Sequence, residues 1–564
     1  MITIILLLAL LLTPPMQAFP QDLFGLIAHA NRKTNAKMIR SAATNEEAQL
    51  PVQPQITNGD EQLYPDKRGS YGKALKQLDT GLVDPVAFNS LVFATQTGNP
   101  ADFNKIILQL NPRVRGMVEP QAGIDFNLWG ADASTYSMVP PPTVVSAERA
   151  DEMVELYWMR LLADVNFTDY DTNPLAAEAI TDLNDLTAFT GPKVDGQVTP
   201  QTLFRSDIPG VLTGPFISQL FLLNVSFSDT TFVQKYTAPT SNSLVNNFMT
   251  NVPEYTRMQD GFNPTRSITL GSPLYIKDAR ALAGFVHNDP EPLPGFFAML
   301  ILLGMANKDP KVYDQANPYL TNPTQQQFVD FTETTCIALV SLANLMGIRA
   351  SWYQKWFVQR TLRPEEYGFL VQQQQTGAFN YGLNQEVFNS TALPLIFALN
   401  AATNAALTPP VSGGTYLLPQ SYPEGSPTHP TYPQGHATSV GAWVTILKAY
   451  FNEDYIMSAP TPVAPQQTAF VPSFDGTTLV PTTDVLTIGG ELNKLAVNIA
   501  TGRDMAGIHF RSDCTEGLLL GEQVAISILN DWAYTNNINF AGFSLTKFDG
   551  TKITVGGNKR IPLL

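Results

Sequence analysis

The hydrophobic pattern of this chain is helical over most of its length. Apolar residues recur every three or four positions, as one buried face of an α-helix requires, in the segments 85–96, 101–110, 146–164, 173–187, 215–224, 242–250, 276–287, 293–305, 391–406, 436–451, 490–506 and 513–534. The longest run, 324–361, is apolar on most faces and is typical of a helix inside a bundle. Residues 19–75 show no sustained period and predict an extended or partly disordered arm.

Strand signals are few. A hairpin is predicted at 543–555 around Asp549-Gly550, and a shorter one at 473–480. No internal repeat is visible. The pattern therefore predicts a mainly α protein of two packed helix bundles with a few short β-hairpins, in which residues 76–564 form one helical domain.

The N-terminus carries an apolar run. Residues 2–12 are followed by Pro14, Pro15 and a small residue, Ala18. The run is too short to span a bilayer, so residues 1–18 predict an export signal and a secreted or extracytoplasmic protein with no stable membrane insertion. Sequons at Asn166, Asn224 and Asn389 fit export, although as many arise by chance in a chain rich in Asn and Thr.

Composition and charge argue against nucleic acid as a partner and leave open whether the chain forms a homo-oligomer. The formal charge is -15 and no basic block is present, which argues against nucleic acid. Charged residues make up only 15%, and this indicates either a surface covered by contacts in a homo-oligomer or an uncharged, amide-rich solvated surface. Cys336 and Cys514 predict buried thiols, with a single disulfide as the alternative, and no zinc site.

The stretch 426–450 holds the first candidate chemistry. Pro427, Pro430 and Pro433 exclude regular structure from its first half, whereas a helix is predicted from His436 onward. Gln434 and Gly435 therefore lie where a stiff loop meets a helix N-terminus, whose free N–H groups suit an anion. Two of the five histidines, His429 and His436, lie in this stretch.

Two further clusters add positive charge. Lys355 and Arg363 lie eight residues apart, so one helix could aim both the same way before Pro364 ends it. Downstream, Arg503 precedes His509, and a helical segment 509–513 would place Asp513 on the same face as His509, where it could select the tautomer. The three clusters predict a site for a compact tetrahedral oxyanion within residues 350–515.

These motifs match a known family. K-x7-RP at 355–364, PxGH at 433–436 and R-x5-H-x3-D at 503–513 resemble the signature shared by vanadium-dependent haloperoxidases and type 2 phosphatidic acid phosphatases. The stretches SWYQKW, SPTHPTYPQGHAT and VEPQAGIDFNLWG also resemble the red-algal and cyanobacterial bromoperoxidases. The resemblance covers most of residues 80–550.

The resemblance implies a vanadate cofactor. His509 would bond to vanadium, and the vanadate oxygens would be held by Lys355, Arg363, Arg503 and the Gly435 N–H. The reaction implied is oxidation of a halide, bromide favoured and iodide included, by hydrogen peroxide to a hypohalous acid that halogenates small organic substrates. Vanadium would act as a Lewis acid without changing oxidation state, and Lys355 would polarise the peroxide.

Further roles follow from the same resemblance. His436 would be the acid–base residue, and His429 matches a histidine that supports this residue in the algal bromoperoxidases. Trp352, in contrast, occupies a position at which the chain resembles the chloroperoxidases. The family usually has serine where this chain has Gln434, whose amide could donate to an equatorial oxygen as a hydroxyl does. We expect retained activity with an altered halide or substrate preference.

Two other interpretations remain. An acid phosphatase would use His509 as the nucleophile that forms a phosphohistidine and His436 as the acid for the leaving alcohol. A non-catalytic assembly protein with a relic site is supported only by Gln434. The family forms dimers and larger rings, which adds to the expectation of a homo-oligomer, and calcium as a structural ion stays open.

Overall fold

A computed structural model describes residues 30–459, 468–536 and 538–557. Its helices are α1 (Ala30–Ala48), α2 (Asp60–Leu63), α3 (Pro85–Thr97), α4 (Pro100–Phe103), α5 (Ala147–Leu161), α6 (Pro174–Asp185), α7 (Val252–Gln259), α8 (Ala279–Phe285), α9 (Leu293–Ala306), α10 (Glu333–Tyr353), α11 (Pro364–Gln375), α12 (Glu386–Asn389), α13 (Ala392–Ala406), α14 (Gly435–Tyr450), α15 (Ile488–Met505) and α16 (Arg511–Ala533). The predicted mainly α fold is confirmed.

The strands are short and pair in twos. The antiparallel pairs are β1 (Val225–Phe227) with β2 (Thr230–Phe232), β3 (Tyr236–Pro239) with β4 (Leu270–Leu274), β5 (Ile456–Ser458) with β8 (Leu486–Thr487), β6 (Ala469–Pro472) with β7 (Leu479–Thr482), and β9 (Phe543–Thr546) with β10 (Lys552–Val555). The β9–β10 hairpin is as predicted. The segment expected to pair at 473–480 is mostly the turn between β6 and β7, so that prediction was displaced by several residues.

Helix α14 lies at the centre of the bundle. It packs against α10, α15 and α16, and all its residues except His436 are buried. Its approach to α16 is close enough to require glycine, because a Cβ built on Gly521 would lie 2.1 Å from the Thr438 carbonyl oxygen. The helix that begins at the predicted anion loop is therefore held rigidly from several sides.

Side-chain caps and prolines define many helix starts. The hydroxyl of Ser146 accepts a hydrogen bond from Arg149 N and begins α5, as the sequence predicts. Pro364, expected only to end the preceding helix, stands at the first position of α11. Helix α11 was missed because its second half is a run of glutamines with no apolar period.

Three predicted helices are wrong. The segment 101–110 is helical only in α4, and 215–224 and 242–250 contain only the 3₁₀ turns Gln219–Phe221 and Leu244–Asn246. In the segment 215–224, side chains of α15 replace the hydrogen-bond partners that a helix would supply. Asn498 Oδ1 accepts from Ser218 N at 2.9 Å, and Glu491 accepts from Gln219 N at 2.6 Å. Tertiary hydrogen bonds thus override the apolar spacing.

The N-terminal segment differs from the predicted arm. Residues 30–48 form α1, and residues 70–75 are buried in the helical body. Lys73 forms a buried salt bridge of 2.6 Å with Glu365, and Ser70 forms a β-bridge with Thr361. The predicted export signal lies outside the described residues.

The long apolar run 324–361 divides into three parts. Helix α10 begins only at Glu333 and continues into a π-helical turn, Gln354–Gln359, which ends at Arg360 with φ 42°. Within the described ranges, Glu333–Gln359 is the one helical stretch long and apolar enough to cross a membrane, and its α10 part packs against α14 and α16. Both cysteines are free and buried, as predicted.

Candidate active site

The first two predicted cations reach the proline-rich loop from one side. Lys355 is fully buried, and its Nζ donates to Pro430 O at 2.7 Å and to Thr431 O at 2.6 Å. Arg363 Nε donates to His429 O at 3.0 Å. The expectation that one helix carries both was wrong, because the helix ends before Arg363. The left-handed backbone at Arg360 turns the chain so that both side chains meet the same loop.

Arg363 also contacts two histidines. Its Nη1 lies 2.8 Å from His509 Nε2, and its Nη2 lies 2.9 Å from His429 Nδ1. A guanidinium has only donors, so His509 Nε2 must act as an acceptor, whereas His429 Nδ1 also lies 3.2 Å from the Pro430 carbonyl oxygen. His509 therefore presents an unprotonated Nε2 toward the cations, which is the form in which imidazole binds a metal.

The other nitrogen of His509 is paired with a carboxylate. His509 Nδ1 lies 2.9 Å from Asp513 Oδ2, which also accepts from Phe510 N and from the Thr431 hydroxyl. The predicted pair forms, but not on one helix, because His509 precedes α16 and Asp513 reaches back from its first turn. Burial and the neighbouring Arg363 hold the pKa of His509 well below its ordinary range, so the ring is neutral.

Arg503 approaches from α15. Its Nη1 donates to Val286 O at 2.6 Å, and its guanidinium lies over the Tyr422 ring at 5.2 Å from the centroid. Its Nε is buried without a hydrogen-bond partner in the described part of the chain. Sequence reasoning missed Tyr422, which stacks in turn on His287 at 3.8 Å between ring centroids.

His436 lies at the start of α14 between two carboxylates. Its Nε2 is 3.0 Å from Asp289 Oδ1, and its Nδ1 is 3.4 Å from Glu291 Oε1. The ring is partly exposed. Sequence reasoning missed both acids, whose only signal was the local cluster HNDPE at 287–291.

His429 and Trp352 form one wall of the site. Their ring centroids are 4.8 Å apart, and Trp352 Nε1 donates to Val118 O at 3.2 Å. Burial and the adjacent Arg363 hold the pKa of His429 well below its ordinary range. His429 is therefore a neutral ring beside the Arg363 guanidinium.

The backbone of Gln434 and Gly435 lies where the sequence predicts. Gln434 N donates to Asp513 O at 2.9 Å, and Gly435 is the first residue of α14, where N–H groups lack helical partners. The Gln434 side chain, however, donates to Ala500 O at 3.1 Å and to Asp504 Oδ1 at 3.3 Å. Its amide is thus engaged by α15.

Charged side chains of helix α5 contact the segment 503–513, which carries the third motif. Arg149 lies over the Phe510 ring at 3.8 Å, Glu152 accepts from Ser512 N at 2.7 Å, and Arg160 donates to Met505 O at 2.8 Å. All three charged side chains are buried. The sequence could not reveal this role, because charge on a helix ordinarily indicates a solvated face.

The site contains positive charge without a counterion. Among the residues that the structure covers, no carboxylate forms an ion pair within 4.0 Å of Lys355, Arg363 or Arg503. Burial holds the pKa of Lys355 well below its ordinary range and lowers that of Arg363 to about 10. Buried cations without partners are costly, and an oxyanion would offset them. The unprotonated Nε2 of His509, which accepts from Arg363 here, completes a set of residues that fits vanadate.

Comparisons with known proteins identify relatives of this chain. A family model described as the VCPO second helical-bundle domain matches residues 414–536. The chain is 33% identical to a vanadium-dependent bromoperoxidase of Corallina officinalis, covering 89% of this chain and 95% of the relative. It is 34% identical to one of Ascophyllum nodosum, covering 84% of each.

A solved structure gives the same answer for the fold. The homohexameric structure of the second vanadate-dependent bromoperoxidase (AnII) of Ascophyllum nodosum matches with a TM-score of 0.85 and 27% identity, covering 93% of this chain and 91% of that one. The helical bundle and its cationic, histidine-bearing pocket define a haloperoxidase-type protein. The chain belongs to the vanadium-dependent bromoperoxidase family.

Proposed function

We propose that this chain is a vanadate-dependent haloperoxidase that oxidises bromide, and also iodide, with hydrogen peroxide to hypohalous acid, which halogenates small organic substrates. The observation that carries the proposal is that Arg363 contacts the unprotonated Nε2 of His509, while Lys355 and Arg503 lie near enough to lower the pKa of this ring. In the described part of the chain, none of the three buried cations is paired with a carboxylate. The curated relatives are bromoperoxidases, and they do not favour the acid phosphatase alternative.

Lys355, Arg363, Arg503 and the Gly435 N–H together form what we call the cradle. These groups would bind and orient the vanadate ion. Bound vanadate supplies a Lewis acid that activates hydrogen peroxide at neutral pH. Lys355, Arg363 and Arg503 neutralise the oxyanion, and the Gly435 N–H adds a backbone donor at the positive end of α14. His509 Nε2 would be the ligand nitrogen, and Asp513 keeps the proton on Nδ1.

His436 handles the proton of the incoming peroxide. Its ring lies in the first turn of α14, one residue after Gly435, and Asp289 at 3.0 Å would stabilise the imidazolium that forms when the ring accepts a proton. Asp289 stays ionised for this purpose. Although burial favours the neutral acid, His436 and Arg503 hold the pKa of Asp289 below its ordinary value.

The cellular location, the oligomeric state and the domain division belong to the same proposal. The protein is secreted or extracytoplasmic, on the strength of its N-terminal apolar run and of the sequons at Asn224 and Asn389, which are exposed, whereas Asn166 is buried. It is a homo-oligomer, dimer or higher, as the homohexameric relative suggests. The helical domain at residues 76–564 is proposed from the sequence alone.

A paired assay tests the activity. The purified protein is supplied with vanadate, bromide and hydrogen peroxide, and bromination of a dye is followed beside hydrolysis of a phosphate ester. We expect vanadate-dependent bromination that is lost in His509→Ala, with phosphate-ester hydrolysis low in comparison. Hydrolysis without bromination would overturn the proposal in favour of the phosphatase, and neither activity, together with no retained vanadate, would favour a relic site.

A further inference from the structure

Gln434 stands at the cradle but its side-chain donors point elsewhere. A primary amide has two N–H bonds, and Nε2 of Gln434 directs them to Ala500 O at 3.1 Å and to Asp504 Oδ1 at 3.3 Å, both on α15. The residue has no exposed surface, so the amide cannot turn toward solvent. Neither donor remains for an anion.

The remaining polar atom of this side chain is an acceptor. Gln434 Oε1 is buried and has no hydrogen-bond partner in the described ranges. A carbonyl oxygen can accept only from a protonated oxygen, so it offers nothing to the unprotonated oxygens of the ion. A serine, which the resembling enzymes carry here, would supply one donor instead.

Asp504 is well suited to hold the amide. It is buried on α15 next to Arg503 in sequence. Burial, reinforced by the Asp513 carboxylate, raises the pKa of Asp504 well above its ordinary range. An acid that keeps its proton still accepts through its carbonyl oxygen, and it brings no negative charge to the cradle.

We propose that Asp504 and the Ala500 carbonyl hold the Gln434 amide away from the oxyanion, so that Gln434 limits the affinity of this chain for vanadate. The inference rests on the proposed function. In it Asp504 is a positioning residue that acts through Gln434. Because a hydrogen bond to a charged group is worth about ten- to a hundredfold in binding, the missing donor is measurable.

The first test compares three proteins by equilibrium dialysis and ⁵¹V NMR of bound vanadate. Gln434→Ser should bind vanadate about ten- to a hundredfold more tightly and shift the ⁵¹V resonance. Gln434→Ala, which removes the amide and supplies no hydroxyl, should stay within about threefold of the parent. A tenfold loss in Gln434→Ala would show that the amide does donate to the ion, and an unchanged Gln434→Ser would show that this position does not limit affinity. Either result overturns the inference.

The second test separates positioning from simple structural support. Asp504→Ala should free one amide N–H and tighten vanadate binding by about tenfold, while Asp504→Asn, which keeps an acceptor oxygen, should stay near the parent. In the Gln434→Ala background, Asp504→Ala should have no effect on affinity, whereas a structural role would weaken binding in both backgrounds and overturn the inference. Thermal unfolding of each variant monitors folding.

Vanadate binding by the parent protein distinguishes a failure of this inference from a failure of the proposed haloperoxidase function. Vanadate retained by the parent, with no change in Gln434→Ser, overturns the inference and leaves the haloperoxidase function standing. Vanadate retained by neither protein overturns both.

Discussion

His436 Nε2 lies 3.0 Å from Asp289 Oδ1, across 147 positions of sequence. The carboxylate orients the proposed acid–base histidine, which is partly exposed, and it is itself kept ionised by His436 and Arg503 against the effect of burial. Glu291 lies farther off, at 3.4 Å from the other ring nitrogen. The short rim segment 286–291 therefore controls both the orientation and the charge of the proposed acid–base residue.

Removing this carboxylate should impair turnover more than cofactor binding. We expect Asp289→Ala to lower kcat/KM for hydrogen peroxide by about 10- to 100-fold, as for other partners of functional histidines, while vanadate affinity changes little. Steady-state kinetics over a range of pH, with dialysis for vanadate, measure both. Glu291→Gln is the control and should retain most of the activity. Equal losses in both variants would contradict the distinct role of Asp289.

Arg503 should contribute to oxyanion affinity. Its guanidinium is buried and forms no ion pair with a carboxylate among the residues that the structure describes, so Arg503→Ala removes a charge-assisted bond and should weaken vanadate binding by about 10- to 100-fold. Arg113 is exposed, and Arg113→Ala is the control for a simple loss of charge. Equilibrium dialysis of both variants decides the matter, and an Arg503→Ala protein that retained vanadate as well as the parent would count against the cradle.

Glu366 should make stability depend on pH. Its two carboxyl oxygens accept from Gly72 N at 2.8 Å and from Arg363 N at 2.7 Å. Burial raises the pKa of Glu366 from 4.5 to about 7, and the neighbouring Glu365 adds to the shift. The folded state thus binds this proton more tightly than the unfolded state. Its contribution to stability is complete below about pH 4.5 and is lost as pH rises through about 7.

Urea unfolding at pH 4.5 and pH 8 measures the contribution of Glu366 to the free energy of unfolding. The free energy of unfolding of the parent should fall by about 3 kcal/mol more over this range than that of Glu366→Gln, which cannot titrate at this position. The control, Glu178→Gln on the exposed face of α6, should show the same pH dependence as the parent. A parent and Glu366→Gln with parallel pH profiles would refute the assignment.

Gly521 should be intolerant of a side chain. A Cβ there would lie 2.1 Å from Thr438 O and 2.6 Å from Ala442 N, so Gly521→Ala must push α16 away from α14. We expect a loss of about 1–3 kcal/mol in stability, with lower activity because α14 carries His436. Gly304 in α9 has open space around it, and Gly304→Ala should stabilise the protein by about 0.5–1 kcal/mol through helix propensity. Differential scanning calorimetry distinguishes the two directions.

Local features of the sequence carried much of the fold. Apolar spacing predicted α5, α9, α13, α14, α15 and α16 to within a few residues, since such helices bury a continuous face. The same spacing misled at 215–224, where hydrogen bonds from α15 replace the helical ones, and at residues 30–48, where a weakly amphipathic segment is nevertheless helical.

By itself the sequence determined the chemical types of the site: three cations, two histidines in a proline-rich loop and a third paired with an acid at short spacing. Only the tertiary structure decided that Arg363 faces His509 Nε2, that Asp289 reaches His436, and that the Gln434 amide belongs to α15. The physical reason is that spacing and propensity act over a few residues. Hydrogen-bond partners and shared burial are set by the packing of helices that are far apart in the chain.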